Sequence, residues 1–245
     1  MQLLRILRVA FLYSSFGFIC LFGDLLFIPI VLLKFNKFEF VQRFCRKLVR
    51  LSWGGVFIWL CKISGYLKVQ FDASSLGKNG EIIIANHPSL LDVVFFLSSV
   101  KNLNCVVKGE LGKNIFLAFA IKACGYISNE DNEKLLKQSL NSLENGESLL
   151  IFPEGTRTKD DIIFHKAPFF IAIKAAKILT PVIIEMRPRS LRKNESWFSV
   201  PSECVSYKFK IENSLNLAEF LADKPDPIRV RRLQDEILKI YKELR

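Results

Sequence analysis

At 245 residues, half of them hydrophobic, the chain suits one domain of ordinary to large size with room for an appendage. A net charge of +11 calls for an anionic partner, and long Phe, Leu and Ile stretches select a lipid surface over nucleic acid. The six cysteines form no Cys-x-x-Cys pair and the two histidines lie far apart, so no zinc site is expected and the thiols read as free, in a reducing compartment.

Arg5 and Arg8 precede an apolar segment from Val9 to about Leu33, longer than the roughly 20 residues that cross a bilayer. Gly17, Gly23, Asp24 and Pro29 predict a kink or break in its second half. The run is too long for a signal peptide and lacks a clear small-residue cleavage site. Lys34, Lys37, Arg43, Arg46, Lys47 and Arg50 follow, against the single acid Glu39. That excess of positive charge predicts a downstream domain on the cytoplasmic face of the membrane. From Phe38 to Ile63, basic positions alternate with aromatic and aliphatic ones at near-helical spacing. An amphipathic or re-entrant interfacial helix explains the pattern, and a core helix with one solvated face shares it. Residues 1–64 thus read as membrane-anchoring helices and residues 65–245 as one catalytic domain.

From Tyr66 the character changes. Leu67 to Phe71 alternates like a half-exposed strand, and Gly77-Lys78-Asn79-Gly80 is a turn. Glu81-Ile82-Ile83-Ile84 reads as a buried strand, followed by a helix to about Val100. Asn104 to Lys108 is a short strand, Ile115 to Ala123 a helix closed by Gly125, and Glu130 to Glu144 an amphipathic helix ending at Asn145-Gly146. Ser148 to Phe152, Pro181 to Met186 and Val205 to Ile211 read as further strands, and Phe169 to Leu179 as a helix. The last helix starts after Asp226-Pro227 and runs to the C-terminus. Strands alternating with helices predict an α/β fold, a mixed sheet flanked by helices.

The chemistry centres on Ala85-Asn86-His87-Pro88-Ser89-Leu90-Leu91-Asp92, at the end of the buried strand. Pro88 fits the first helical position, where its missing N–H costs nothing. Five residues at about 100° each put His87 and Asp92 on different helix faces. They can touch only if His87 precedes the helix and its ring folds back. Nδ1–H would then meet a carboxylate, leaving Nε2 as a general base. A His-x4-Asp spacing alone does not separate a catalytic pair from a structural one; its companions decide. About 60 residues on, Phe152-Pro153-Glu154-Gly155-Thr156-Arg157 follows a strand. Gly155 permits close backbone approach, Thr156 offers a hydroxyl, and Arg157 a fork suited to phosphate.

Together the two motifs resemble the glycerolipid acyltransferase family, whose best-known bacterial members are 1-acyl-glycerol-3-phosphate acyltransferases. The resemblance runs from about Leu67 to Ile211. It includes Lys108-Gly109-Glu110-Leu111 at a lysine-bearing strand end and Pro181-Val182-Ile183 at a late proline motif. It departs at Gly125-Tyr126-Ile127-Ser128-Asn129, where Asn129 stands in place of an arginine that helps hold the acceptor phosphate. It departs again at His165-Lys166-Ala167-Pro168, where a basic-Gly turn is usual. The Gly-Tyr-Ile-Ser-Asn form also resembles a bacterial branch associated with aryl-polyene-type lipids.

The resemblance implies that His87 takes the proton from an acceptor hydroxyl attacking an acyl thioester, with Asp92 fixing its tautomer. Glu154, Gly155, Thr156 and Arg157 would hold the acceptor head group, Lys108 would add positive charge, and Asn86, Ser89, Asn129 and Pro181 would support the motifs. The donor is acyl-carrier protein or CoA carrying the acyl chain, the acceptor a lysolipid, and no cofactor or metal is expected. Anionic membrane lipids are the expected surface, with no nucleic acid. Two other readings remain in play: a basic membrane- or nucleic-acid-binding protein without chemistry, and a thioester hydrolase in which water replaces the acceptor.

Overall fold

In the computed structural model, residues 2–158, 162–190 and 200–243 are described. The chain opens with α1 (Gln2–Leu32), which packs Val9, Leu12, Cys20, Asp24 and Phe27 inward and leaves Phe11, Phe18 and Phe22 exposed. The expected break is absent: α1 runs unbroken through Gly17, Gly23 and Pro29. A helical glycine costs only about 1 kcal/mol against alanine, and Pro29 forgoes one bond, its own to the Leu25 carbonyl, while its carbonyl still accepts from Leu33 N (3.0 Å). Asp24 is no breaker either. Its carboxylate accepts the backbone N–H groups of Phe119 (3.2 Å) and Ala120 (2.7 Å) and so ties α1 to a helix nearly a hundred residues away.

Next come α2 (Glu39–Arg50), a π-helical segment (Leu51–Ile58) and α3 (Trp59–Ile63), the run read from sequence as one amphipathic helix. The π-helical stretch was not foreseen. It contains Gly54, where a Cβ would stand 2.8 Å from the Ser98 Cβ, so close packing on α4 (Asp92–Ser99) requires glycine here.

The remaining elements alternate strand and helix over most of the chain: β1 (Leu67–Gln70), β2 (Glu81–Ala85), α4, β3 (Leu103–Val107), α5 (Ala118–Cys124), β4 (Ile127–Ser128), α6 (Asn132–Glu144), β5 (Ser148–Ile151), α7 (Ala167–Ala175), β6 (Ile178–Arg187), β7 (Val205–Ile211), β8 (Leu215–Asn216) and α8 (Asp226–Glu243). The strand order is β1-β7-β6-β2-β5-β3-β4, with β8 on β6. β7 and β8 run antiparallel to β6, and the other pairs are parallel. The sheet is therefore mixed, with helices on both faces. β2 lies at its centre and is buried along its whole length. Its Ile83 and Ala85 join the layer of α1–α5, while Ile82 and Ile84 join the layer of α6–α8, the two-residue alternation of a pleated strand.

Boundaries moved: α5, read from Ile115, begins at Ala118. Ile178 and Leu179, read as helix, begin β6 because α7 stops at Ala175 and Ile178 registers with Glu81. β4 and β8 were missed, each being two residues long. The expected run of α8 to the C-terminus extends outside the described residues beyond Glu243.

Candidate active site

Four parallel strands deliver the predicted residues to one edge of the sheet, since each follows the C-terminal end of its strand. His87 follows β2, Glu154 to Arg157 follow β5, Lys108 follows β3 and Asn129 follows β4. Crevices at such strand ends are where open α/β sheets bind ligands.

Asn86 explains how β2 hands over to the loop. Its side-chain amide accepts from Ile184 N (2.7 Å) and donates to Ile184 O (3.0 Å), adding one side-chain rung to the β2–β6 ladder. Below it, Tyr241 on α8 caps the strand end: its hydroxyl lies 2.7 Å from Ile84 O and 2.8 Å from Val182 O. Burial raises the Tyr241 pKa well above the ordinary value, so the group stays a donor. Pro181 sits buried in β6 beside Ile84 and supports this end of the sheet without touching the loop chemistry.

The loop itself corrects one expectation. Pro88 does not begin the helix; α4 starts at Asp92, and residues between His87 and Leu91 are irregular. Side chains take the N–H groups that a helical turn would leave open. Asp92 Oδ2 accepts from Ser89 N (2.7 Å), Asp92 Oδ1 accepts from the Ser89 hydroxyl (2.9 Å), and Ser89 Oγ accepts from Leu91 N (3.1 Å). The His87 ring folds back to place Nδ1 2.8 Å from Asp92 Oδ2. A carboxylate partner puts the proton on Nδ1 and leaves Nε2 to face outward on a side chain that is 19% exposed, whereas Asp92 is wholly buried. Phe152 stacks on the imidazole, with ring centroids 4.3 Å apart, and fixes its plane.

Sequence reading missed the next residue in the chain of contacts. Tyr207, on β7, donates to Ser89 Oγ (2.8 Å), which donates to Asp92. Burial, then the charge of Asp92, holds the Tyr207 pKa well above its usual value, so this hydroxyl too remains a donor. Its signal was a tyrosine at a core-facing position of an alternating strand, Val205, Tyr207 and Phe209 all being buried.

The β5 loop clamps the backbone of His87. Buried Glu154 accepts from His87 N (3.1 Å) and from the Thr158 hydroxyl (2.6 Å), and Thr158 N donates to His87 O (2.7 Å). Thr158, one residue past the recognised motif, was also missed. Gly155 has φ +62°, a conformation that favours glycine, and its Cα faces the His165 ring. Thr156 and Arg157 are half-buried in the same loop.

Lys108 and Asn129 belong to a different neighbourhood. β3 and β4 are the second and third strands from β2, about 10 and 14 Å sideways at the usual strand spacing. Lys108 pairs with Glu110 (2.7 Å) in solvent, and Asn129 Oδ1 accepts from Gly109 N (3.2 Å). A cavity of about 850 Å³ opens there, lined by Lys108, Lys113, Lys122, Tyr126 and Lys137 among others, and its walls do not include His87 or Glu154. The His87–Asp92 pair and this cavity are thus separate places.

Around the strand ends the surface is apolar: Leu90 after β2, Leu111, Ile115 and Phe116 after β3, and Ile163 and Phe170 after β5 are all exposed. No group of three or more potential metal ligands occurs among the described residues.

A mixed α/β sandwich with these two loops has known counterparts. Residues 66–185 match the family described as Acyltransferase. The chain is 30% identical over 183 residues to the 1-acyl-sn-glycerol-3-phosphate acyltransferase of Helicobacter pylori, covering 69% of this chain and 73% of that protein. It is 27% identical over 110 residues to the chloroplastic 1-acyl-sn-glycerol-3-phosphate acyltransferase LPAT1 of Arabidopsis thaliana, covering 42% of this chain but only 31% of the plant protein. The crystal structure of the 1-acyl-sn-glycerophosphate acyltransferase PlsC from Thermotoga maritima superposes with a TM-score of 0.68 at 21% identity, over 98% of this chain and 97% of that one, a likeness of fold. The molecule is an acyltransferase enzyme. The chain belongs to the glycerolipid acyltransferase family.

Proposed function

We propose that this chain moves a fatty acyl group from the thioester of acyl-carrier protein or CoA to the free hydroxyl of 1-acyl-glycerol-3-phosphate, at a membrane surface. One observation carries the reading: the His87–Asp92 contact of 2.8 Å, in a loop where Ser89 N and the Ser89 hydroxyl also bond Asp92 and Glu154 takes His87 N. An alcohol is a weak nucleophile at neutral pH. Nε2 of His87 removes its proton as the oxygen attacks the thioester carbonyl, and Asp92 stabilises the imidazolium that forms. Collapse of the tetrahedral intermediate expels the thiolate, which takes the proton back from His87 and leaves as the thiol. The acyl group passes directly to the acceptor, without an acyl-enzyme and without a cofactor or metal.

Arg157, with Gly155 and Thr156 in the same turn, meets the acceptor phosphate. Glu154 holds the loop to His87. Lys108 contributes charge from the neighbouring strand end. The exposed apolar rim and α1, a helix long and apolar enough to cross a membrane, keep the site at the interface where a lysolipid enters sideways. We place the domain formed by residues 65–245 on the cytoplasmic side, anchored by residues 1–64.

Asn129 favours a second acceptor class. It lacks the charge and fork of the expected arginine, which suits a hydroxylated lipid with less negative charge. The test is incubation of membranes containing the protein with labelled acyl-carrier protein, followed by mass spectrometry of the lipids. Labelled phosphatidate supports the main reading, and a labelled neutral lipid supports the second. Label released only as free fatty acid would overturn both in favour of a hydrolase.

A further inference from the structure

A second charged site lies at the opposite edge of the sheet from His87. A pocket of about 210 Å³ is bounded by Arg43, Arg46, Lys47 and Arg50 of α2 and by Lys101, in the turn leading into the N-terminal end of β3. β3 runs parallel to its neighbours, so this end is a strand length away from the catalytic loops.

Arg46 is the anomaly. Its side chain is 6% exposed, and Nη2 donates to Glu147 Oε1, yet Nε and Nη1 are buried without a hydrogen-bond partner. Glu147 cannot serve them further. Besides Arg46 it takes the Arg43 guanidinium (3.5 Å), the Ser142 hydroxyl (2.6 Å) and the Asn104 amide (3.3 Å). Burial works to raise the Glu147 pKa, but the hydrogen bond and charge of Arg46 outweigh it and hold the group below the ordinary carboxylate value, so it stays ionised at neutral pH. Two carboxylates, Glu147 and the more exposed Glu39 at 4.0 Å from Arg43, stand against five cations. A buried guanidinium with unmet donors is costly unless an anion meets them.

The same helix says what kind of anion. At about 100° per residue, Arg46, Arg50, Arg43 and Lys47 fill one arc of α2 with the single acid Glu39 among them, and Phe40 and Phe44 occupy the adjoining arc. Both phenylalanines are exposed, at 72% and 56%. Cations beside exposed aromatic surface suit a molecule with a phosphate head and an apolar tail. We propose that this pocket binds the phosphate of an anionic membrane phospholipid, received by Arg46 with Lys47, Arg50 and Lys101 around it. The site is independent of acyl transfer; its lipid is a bound neighbour, not the acceptor.

The test uses the full chain in a neutral detergent and native mass spectrometry with phosphatidylglycerol, phosphatidylcholine or inorganic phosphate added. Wild type should retain phosphatidylglycerol at least about tenfold more tightly than phosphatidylcholine, the worth of one charge-assisted hydrogen bond. The double variant Arg46→Met/Glu147→Gln removes the buried pair together, and Lys47→Gln/Lys101→Gln changes only the pocket rim should the first fail to fold. Either should lose most of that preference while leaving acyl transfer in detergent and phosphatidylcholine binding unchanged. An undiminished preference in the folded variants overturns the proposal. So does inorganic phosphate binding to wild type as tightly as the lipid.

Discussion

The ends of β2 and β5 differ sharply from the ends of β3 and β4, although both sit on the same edge of one sheet. At β2 and β5, Asn86, Ser89, Asp92 and Glu154 are buried, and each accepts hydrogen bonds from named donors. At β3 and β4, Lys108 and Asn129 are exposed, with one small contact each. A buried polar network is rigid, because Ser89, Asp92 and Glu154 each hold more than one partner and cannot move without breaking several bonds. Exposed groups can be exchanged at little cost to the fold. The first corner is therefore suited to placing a proton acceptor, and the second to tuning what is recognised.

The comparison is easiest to break at the proposed base. His87→Ala should lower kcat by 10²- to 10⁴-fold, the usual range for a general base, with the fold intact by circular dichroism. Asp92→Ala should come close behind, and it should also destabilise, because the N–H of Ser89 loses its partner. Near-wild-type turnover in His87→Ala would end the mechanism.

The clamp is the next largest effect. Glu154→Ala leaves His87 N with Thr158 alone and frees the loop, so a loss of about tenfold to a hundredfold in kcat/KM is expected, of the order that one charge-assisted hydrogen bond of about 1.5–3 kcal/mol supplies. Thr158→Val should lose less. A Glu154→Ala defect confined to KM would make Glu154 a head-group ligand rather than a clamp.

Tyr207→Phe sharpens the point further, because Tyr207 touches neither ring nor substrate loop. It acts on Asp92 only through Ser89. Removing the hydroxyl should cost about 1 kcal/mol of stability, and a few-fold in kcat with KM unchanged. An unaltered kcat would confine Tyr207 to packing.

These contrasts also explain what could be read in advance. The fold class was legible because β-branched runs such as Ile82-Ile83-Ile84 and leucine-spaced helices such as α6 state their periods directly. The contact of His87 with Asp92 was legible, because the spacing allows it only with His87 ahead of the helix and its ring folded back; Glu154, read as a head-group ligand, was not legible as the group that holds His87 N. Tyr207 and Thr158 were not, since their roles depend on β7 and β5 lying near β2, a fact of topology that local sequence does not carry. The supposed break in α1 failed for the same reason: Asp24 serves α5 across a gap that no window of sequence spans.

The smallest and most specific effect belongs to Asn129. Its amide oxygen holds Gly109 N at 3.2 Å, and a Cβ on Gly109 would run into Glu130, so this turn is tightly packed even though Asn129 itself is exposed. Arginine at this position would give up that bond, a cost of about 0.5–1.5 kcal/mol, and bring a fork able to meet a phosphate. Lying some three strands from β2, it could reach only the far side of a head group held by Arg157. Asn129→Arg should therefore leave kcat nearly unchanged and raise kcat/KM for lysophosphatidate relative to a neutral lysolipid by roughly tenfold, one charge-assisted bond in magnitude. The ratio of specificity constants in the two proteins is the measurement. A ratio that does not move would place Asn129 outside acceptor recognition and leave the β4 corner without a part in specificity.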